Sequence, residues 1–189
     1  VSSGGGTNAI SSLLKVPGAS NTILESYIPY SKKSMDLFLN QKPDQYCSLD
    51  TCLSMAANAY KKCMDIDKDC NKKYLIGVAV TASLATTYTK IGDHKFYITI
   101  QTESFTKSLE CILKKGSRSR EEEEELITEY VLCLLSECCG LKKEMPIHEE
   151  QIEITTIKAE KSWKKLLNNE VNFISNNRGT PELIFPGSF

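Results

Sequence analysis

Apolar residues recur at helical spacing in five stretches of the chain, and this predicts five helices. In the longest stretch, Leu53, Ala56, Ala57 and Tyr60 form one apolar stripe behind Ser48, a candidate N-cap. The first predicted helix ends at a Pro-Gly turn, and a later one is amphipathic around its tryptophan. The predicted helices cover residues 8–14, 32–40, 49–64, 126–139 and 157–167.

Other stretches have the composition or the alternation of β-strands. The continuous apolar run from residue 74 to residue 80 is typical of a strand that is buried on both faces. Hydroxyl and small residues follow it directly, at the end of a central strand where open α/β sheets usually bind their ligands. Strands are predicted over residues 22–29, 74–80, 95–102, 108–113 and 183–189, with a short one over 172–174.

A hydroxyl- and glycine-rich segment opens the chain, directly before the first predicted helix. It contains Ser2, Ser3, Thr7 and the run Gly4–Gly6. Glycines let a ligand approach the backbone, and a helix that begins behind them points free N–H groups and a partial positive charge at it. The segment is therefore a candidate cradle for an anion or an oxyanion. The alternative is a plain turn that leads from a loop into a helix.

Composition limits the function classes. The chain has 189 residues, of which 41% are hydrophobic, and a net charge of −1. These values fit one domain with an appendage and give no general attraction to nucleic acid or to an anionic membrane. No apolar run approaches the roughly 18–20 residues that span a bilayer. We therefore expect neither nucleic acid nor a membrane as a partner. A homo-oligomer is compatible with the sequence.

The eight cysteines follow no metal-ligand spacing, and only two histidines are present. Cys138 and Cys139 are adjacent, whereas a zinc knuckle separates its paired cysteines by two residues. We therefore expect reduced thiols that act as small apolar residues in a cytoplasmic protein, with no metal and no cofactor.

Five consecutive glutamates, residues 121–125, stand where the fourth helix begins, and Arg118 and Arg120 precede them. Acidic residues in a first helical turn favour the helix dipole, so this run is expected to be a solvated helix start. The two arginines are either surface residues or ligands of an anion.

Several short motifs, in this order, resemble the C-terminal domain of the CinA family, a nicotinamide mononucleotide amidohydrolase domain. The resemblance covers about residues 1–140. The motifs are Ser-Ser-Gly-Gly-Gly at 2–6, Val-Pro-Gly-Ala-Ser at 16–20, Pro-Tyr-Ser at 29–31, Ser48 with Met55-Ala56, Val-Thr-Ala-Ser-Leu-Ala-Thr at 80–86 and Gly-Ser-Arg at 116–118.

This resemblance implies a three-layer α/β/α sandwich with a mixed, mostly five-stranded sheet. It also implies hydrolysis of the carboxamide of nicotinamide mononucleotide, which releases ammonia and nicotinate mononucleotide. The ligand would be a pyridine mononucleotide or a similar small phosphate compound. The residues that the resemblance assigns to catalysis are Ser2, Ser3, Tyr30 and Thr81, and those it assigns to substrate binding are Gly4, Gly5, Gly6, Ser31, Lys33, Ser83 and Arg118.

The sequence also departs from the family pattern. Met35 stands where the family has lysine, although Lys33 is close by. After Thr81, the two glycines of the family pattern are replaced by Ala82 and Ala85, and its proline by Thr86. The alternative to an amidohydrolase is therefore a catalytically inactive nucleotide-binding or regulatory domain.

The last residues, Ile-Phe-Pro-Gly-Ser-Phe at 184–189, resemble the opening of a nucleotidyltransferase of the His-x-x-His class. We therefore expect three regions: a CinA-like domain over 1–140, a linker with a short helix and strand extension over 141–182, and the truncated start of a nucleotidyltransferase domain over 183–189. In the alternative function, the CinA-like domain serves that attached nucleotidyltransferase.

Overall fold

The computed structural model describes residues 1–88, 90–146, 148–168 and 170–171. Its centre is one five-stranded sheet in the order β1-β2-β3-β4-β5. The strands are β1 (Ser2–Ser3), β2 (Gly77–Ser83), β3 (His94–Gln101), β4 (Phe105–Leu113) and β5 (Gln151–Lys158). The helices are α1 (Thr7–Leu14), α2 (Lys32–Leu39), α3 (Leu49–Ile66), α4 (Arg120–Cys138) and α5 (Lys161–Leu167).

The sheet is mixed because β1 runs parallel to β2, whereas the other neighbours are antiparallel. In its central register Val80 is opposite Ile98, and Ile98 is opposite Leu109. All three side chains are buried. The apolar run that predicted a buried strand therefore overlaps β2, in the interior of the sheet, but β2 begins at Gly77 and continues to Ser83, so Thr81 lies within the strand and not after it.

Helices cover both faces of this sheet. On one face, Ala9 of α1 and Ile127 and Leu134 of α4 belong to the same buried cluster as Val80 and Phe96 of the sheet. On the other face, Met35 of α2 and Met55 of α3 pack with Ala79 of β2. The expected three-layer α/β/α sandwich with a five-stranded mixed sheet is confirmed.

Two of the predicted elements differ from the structure, one in its start and one in its type. The helix expected from residue 157 begins only at Lys161, and residues 151–158 form β5, which pairs with β4 along eight positions. The sheet thus takes its fifth strand from beyond residue 140. Residues 22–29 form no strand of the sheet, although the carbonyl of Tyr27 accepts a 3.0 Å hydrogen bond from the N–H of Ser2. The strands predicted over 172–174 and 183–189 lie outside the described residues.

Within the described part of the chain, no helix combines the length and the apolar character needed to cross a membrane.

Gly77, at the start of β2, allows α3 to lie directly against the sheet. A Cβ at this position would stand 2.3 Å from the carbonyl oxygen of Ala56 and 2.4 Å from the backbone N of Tyr60.

We expect Gly77→Ala to lower the free energy of unfolding by about 1–3 kcal/mol or more, since backbone atoms of a long helix cannot easily move aside. Chemical denaturation measures this change. The control is Gly92→Ala, whose Cβ would meet nothing within 4 Å, and equal effects of the two variants would contradict the prediction.

Candidate functional site

The candidate site lies at the carboxyl edge of the sheet, which we define as the edge where β1 and β2 end. Ser3 is opposite Thr81 in the parallel pair, so the segments that follow both strands leave the sheet side by side. The run Gly4–Gly6 connects β1 to α1, and Gly4 and Gly6 have φ angles of +78° and +83°. The glycine run therefore lies at this edge, beside the end of β2.

Internal packing accounts for the glycines of this loop. A Cβ on Gly4 would stand 2.0 Å from the carbonyl oxygen of Ala82, and one on Gly6 would stand 2.9 Å from a methyl group of Val80. Both glycines also have φ angles that favour residues without a side chain. The loop is thus pressed against β2 itself, independently of any ligand.

A carboxylate of the chain itself occupies the amino terminus of α1. Glu124 Oε2 accepts a 2.7 Å hydrogen bond from the N–H of Gly6. Its Oε1 accepts from Thr7 Oγ1 at 2.9 Å and from the N–H of Asn8 at 3.1 Å. Donors that a helix amino terminus offers to an external anion are therefore already used within the molecule.

Both candidate nucleophiles donate their protons to backbone carbonyls. The Oγ of Ser2, which is buried, donates to the carbonyl of Gly5. The Oγ of Ser3 donates to the carbonyl of Pro29 at 3.1 Å. Among the described residues, no basic side chain accepts a hydrogen bond from either hydroxyl.

A cleft of about 360 Å³ opens beside the loop, lined by Gly4, Gly5, Thr7, Tyr30, Arg120, Glu121 and Glu124. The side chain of Tyr30 is 70% exposed at this cleft. Arg120 donates to the carbonyl of Gly4 at 3.1 Å and to that of Ala85 at 3.2 Å. The arginine that reaches the glycine loop is therefore Arg120.

Arg118 lies at the other end of the carboxyl edge, where β4 and β5 pair, and does not line the cleft. Its guanidinium donates to Oε1 of Glu150, the residue that directly precedes β5. Burial is the largest single effect on the pKa of Glu150 and raises it, but the hydrogen bond from Arg118, a backbone hydrogen bond and nearby positive charge together lower this pKa. The structure thus separates Arg118 from the glycine loop.

The remaining predicted site residues have local partners. The buried Thr81 donates from Oγ1 to the carbonyl of Tyr46 at 2.8 Å, and Ser83 Oγ accepts from Lys90 Nζ at 3.1 Å. Ser31 caps α2 by accepting from the N–H of Ser34, and Lys33 is exposed on α2. Of the predicted residues, the cleft thus brings together Gly4, Gly5 and Tyr30.

The glutamate run contains a buried contact that the sequence interpretation missed. Glu123 is 0% exposed, so the expectation of a solvated helix start is wrong for this residue. Its Oε1 lies 2.7 Å from His94 Nδ1, and its Oε2 accepts a 2.6 Å hydrogen bond from the N–H of Ala85. Helical spacing was the available signal, because Glu123 shares its buried face with Ile127 and Tyr130.

All eight cysteines are unpaired; three of them are buried and one, Cys139, is exposed. In the described part of the chain, no group of three or more histidine, cysteine, aspartate or glutamate side chains has an arrangement that could hold a metal ion.

Comparisons with known proteins found no match among protein-family models, curated proteins or solved structures.

Burial predicts a clear difference in reactivity among the thiols. Cys52 is fully buried, and burial raises its pKa to about 12, so at pH 8 only about one molecule in ten thousand carries the thiolate there. We expect the native protein to show a rapid reaction of Cys139 with a chromogenic disulfide reagent, and no reaction of Cys52 until the protein is unfolded. Cys139→Ser should remove the rapid phase. Denaturant without reductant should expose eight thiols, and a clearly smaller number would contradict the reduced state.

Proposed function

We propose that this chain is a catalytically inactive, CinA-like domain that binds a pyridine mononucleotide or a similar phosphate compound in the cleft beside Tyr30 and Arg120. Its role would be regulatory, in service of an attached nucleotidyltransferase. The observation that carries the proposal is the self-occupied site: Glu124 takes the donors at the amino terminus of α1, while Ser2 and Ser3 donate to carbonyls.

The loss of catalysis follows from what amide hydrolysis requires. A serine hydroxyl becomes a strong nucleophile only when a base accepts its proton. A backbone carbonyl is too weak a base for this, and it holds the proton of Ser2 and of Ser3 in place. The tetrahedral intermediate also needs N–H donors for its oxyanion. Here the N–H groups of Gly6 and Asn8 already donate to a carboxylate.

Ligand binding is supported by the groups that remain at the cleft. The exposed ring of Tyr30 offers a face against which an aromatic base or a pyridinium could stack. A guanidinium has five N–H donors, and the hydrogen bonds of Arg120 within the described residues use two of its nitrogens on single carbonyls. Further N–H groups of this side chain are suited to a phosphate.

The second candidate is the amidohydrolase itself. It is favoured by one observation: two serines directly precede a glycine loop at the carboxyl edge of the sheet, next to an open cleft with a tyrosine. In either case we propose a cytoplasmic location, which the unpaired state of all eight cysteines supports.

The two candidates differ in turnover. We expect the purified chain to release no ammonia from nicotinamide mononucleotide above the enzyme-free rate, because both serines donate to carbonyls and no base among the described residues accepts their protons. The Ser2→Ala/Ser3→Ala double variant should give the same baseline. An ammonia signal in the parent that the double variant loses by about a thousandfold would establish the amidohydrolase instead.

The two candidate functions share a ligand-binding site, and substitution of Arg120 or Arg118 tests where its phosphate-binding part lies. We expect Arg120→Gln to weaken the binding of nicotinamide mononucleotide by about 1.5–3 kcal/mol, or roughly 10–150-fold, because a charge-assisted contact to the phosphate is lost. Isothermal titration calorimetry measures this. Arg118→Gln, the matched control, should leave the affinity unchanged. The opposite ranking would move the phosphate site to Arg118, and no binding by the parent would refute the proposed function.

A further inference from the structure

The amino terminus of α1 has no cap of its own, because its N-cap residue is Gly6 and no side chain of that residue can accept a hydrogen bond. Glu124 supplies the missing acceptor from another helix, 118 residues away in sequence from Gly6. The carboxylate contacts two backbone N–H groups and one hydroxyl at 2.7–3.1 Å. This is the coordination that an external carboxylate or phosphate would receive at the same place.

We propose that Glu124 is a built-in ligand of the α1 amino terminus, and that a phosphorylated compound entering the cleft must displace this carboxylate to reach the donors of Gly6, Thr7 and Asn8. The contact is autoinhibitory, and its relevance to nucleotide binding rests on the function proposed above. The class of ligand that it excludes is a small anion, with phosphate as the simplest member.

The charges around the cleft strengthen the exclusion. Among the described residues, its lining contains one cation, Arg120, and two carboxylates, Glu121 and Glu124. A phosphate that approaches the loop therefore meets more negative than positive side chains. Removal of the Glu124 charge balances Arg120 against Glu121 and at the same time frees the three donors. Both changes favour an anion.

Displacement of Glu124 requires movement of its side chain alone. Its backbone lies inside α4, where its carbonyl accepts a 2.9 Å hydrogen bond from Thr128 Oγ1. Ile127, one turn further along α4, is fully buried and packs in the same cluster as Ala9 of α1. The two helices thus remain packed when the half-buried carboxylate turns toward the solvent side of the cleft.

Anion rescue of a variant that lacks the carboxylate tests this contact. We expect Glu124→Ala, in chloride buffer, to lower Tm by about 3–8 °C, because charged hydrogen bonds are lost and the helix end is left uncapped. Inorganic phosphate at matched ionic strength should restore at least half of this loss, measured by differential scanning fluorimetry. The parent and the control Glu125→Ala, an exposed neighbour on the same helix, should shift by less than about 1 °C. Equal phosphate shifts in all three proteins would overturn the proposal.

A second variant serves if Glu124→Ala does not fold. Glu124→Gln keeps the size of the side chain and removes its charge, so we expect it to bind inorganic phosphate about fivefold or more tightly than the parent by calorimetry. Unchanged affinity would overturn the autoinhibitory contact. Neither readout involves a nucleotide. If the parent does not bind nicotinamide mononucleotide while the Glu124 variants bind inorganic phosphate, the proposed function is refuted but the role of Glu124 as a built-in ligand is supported.

Discussion

The first turns of α4 hold the carboxyl edge of the sheet together. A capping box between Ser119 and Glu122 starts this helix at Arg120 and thereby fixes the direction of the side chains that follow. Arg120 and Glu124, one turn apart, both reach the glycine loop after β1. Glu123 points elsewhere and holds the backbone after β2. The start of α4 therefore fixes both the loop after β1 and the segment after β2. A shift of α4 by one residue would break the hydrogen bonds to both segments.

The elements that could be predicted from the sequence are those whose own pattern determines them. The interior strand β2 was recognisable because residues 74–80 form one continuous apolar run, and α3 because its apolar stripe is long. The missed strand, β5, is different. Its threonines and isoleucines suit a strand, but it exists only because β4 offers an edge that is distant in sequence. Residues 22–29 have similar strand formers without such a partner, and their composition alone did not produce a strand.

The candidate site divides in the same way. The glycine loop was predicted from its local sequence and Tyr30 from the family resemblance, and Gly4, Gly5 and Tyr30 lie at the cleft. The roles of Arg118 and Arg120 could not be separated, because the two residues are only two positions apart in the sequence and the start of α4 at Arg120 decides which one reaches the loop after β1. Glu123 could have been assigned to the interior from its spacing with Ile127 and Tyr130, since a carboxylate at a core position needs a partner. The partner itself, His94, comes from β3 and is not visible in the sequence.

A glycine motif is weak evidence for catalysis when the fold itself requires the glycines. Gly4 has a positive φ and no room for a Cβ beside the carbonyl of Ala82, so this glycine is required whether or not a substrate ever approaches. The same holds for Gly6 against Val80. Hydroxyls and donors are different, because packing does not dictate what they bind. In this chain they bind the molecule's own carbonyls and carboxylate. The packing of the loop thus requires its glycines, while the hydroxyls and N–H groups beside them hydrogen-bond within the molecule at the same edge of the sheet.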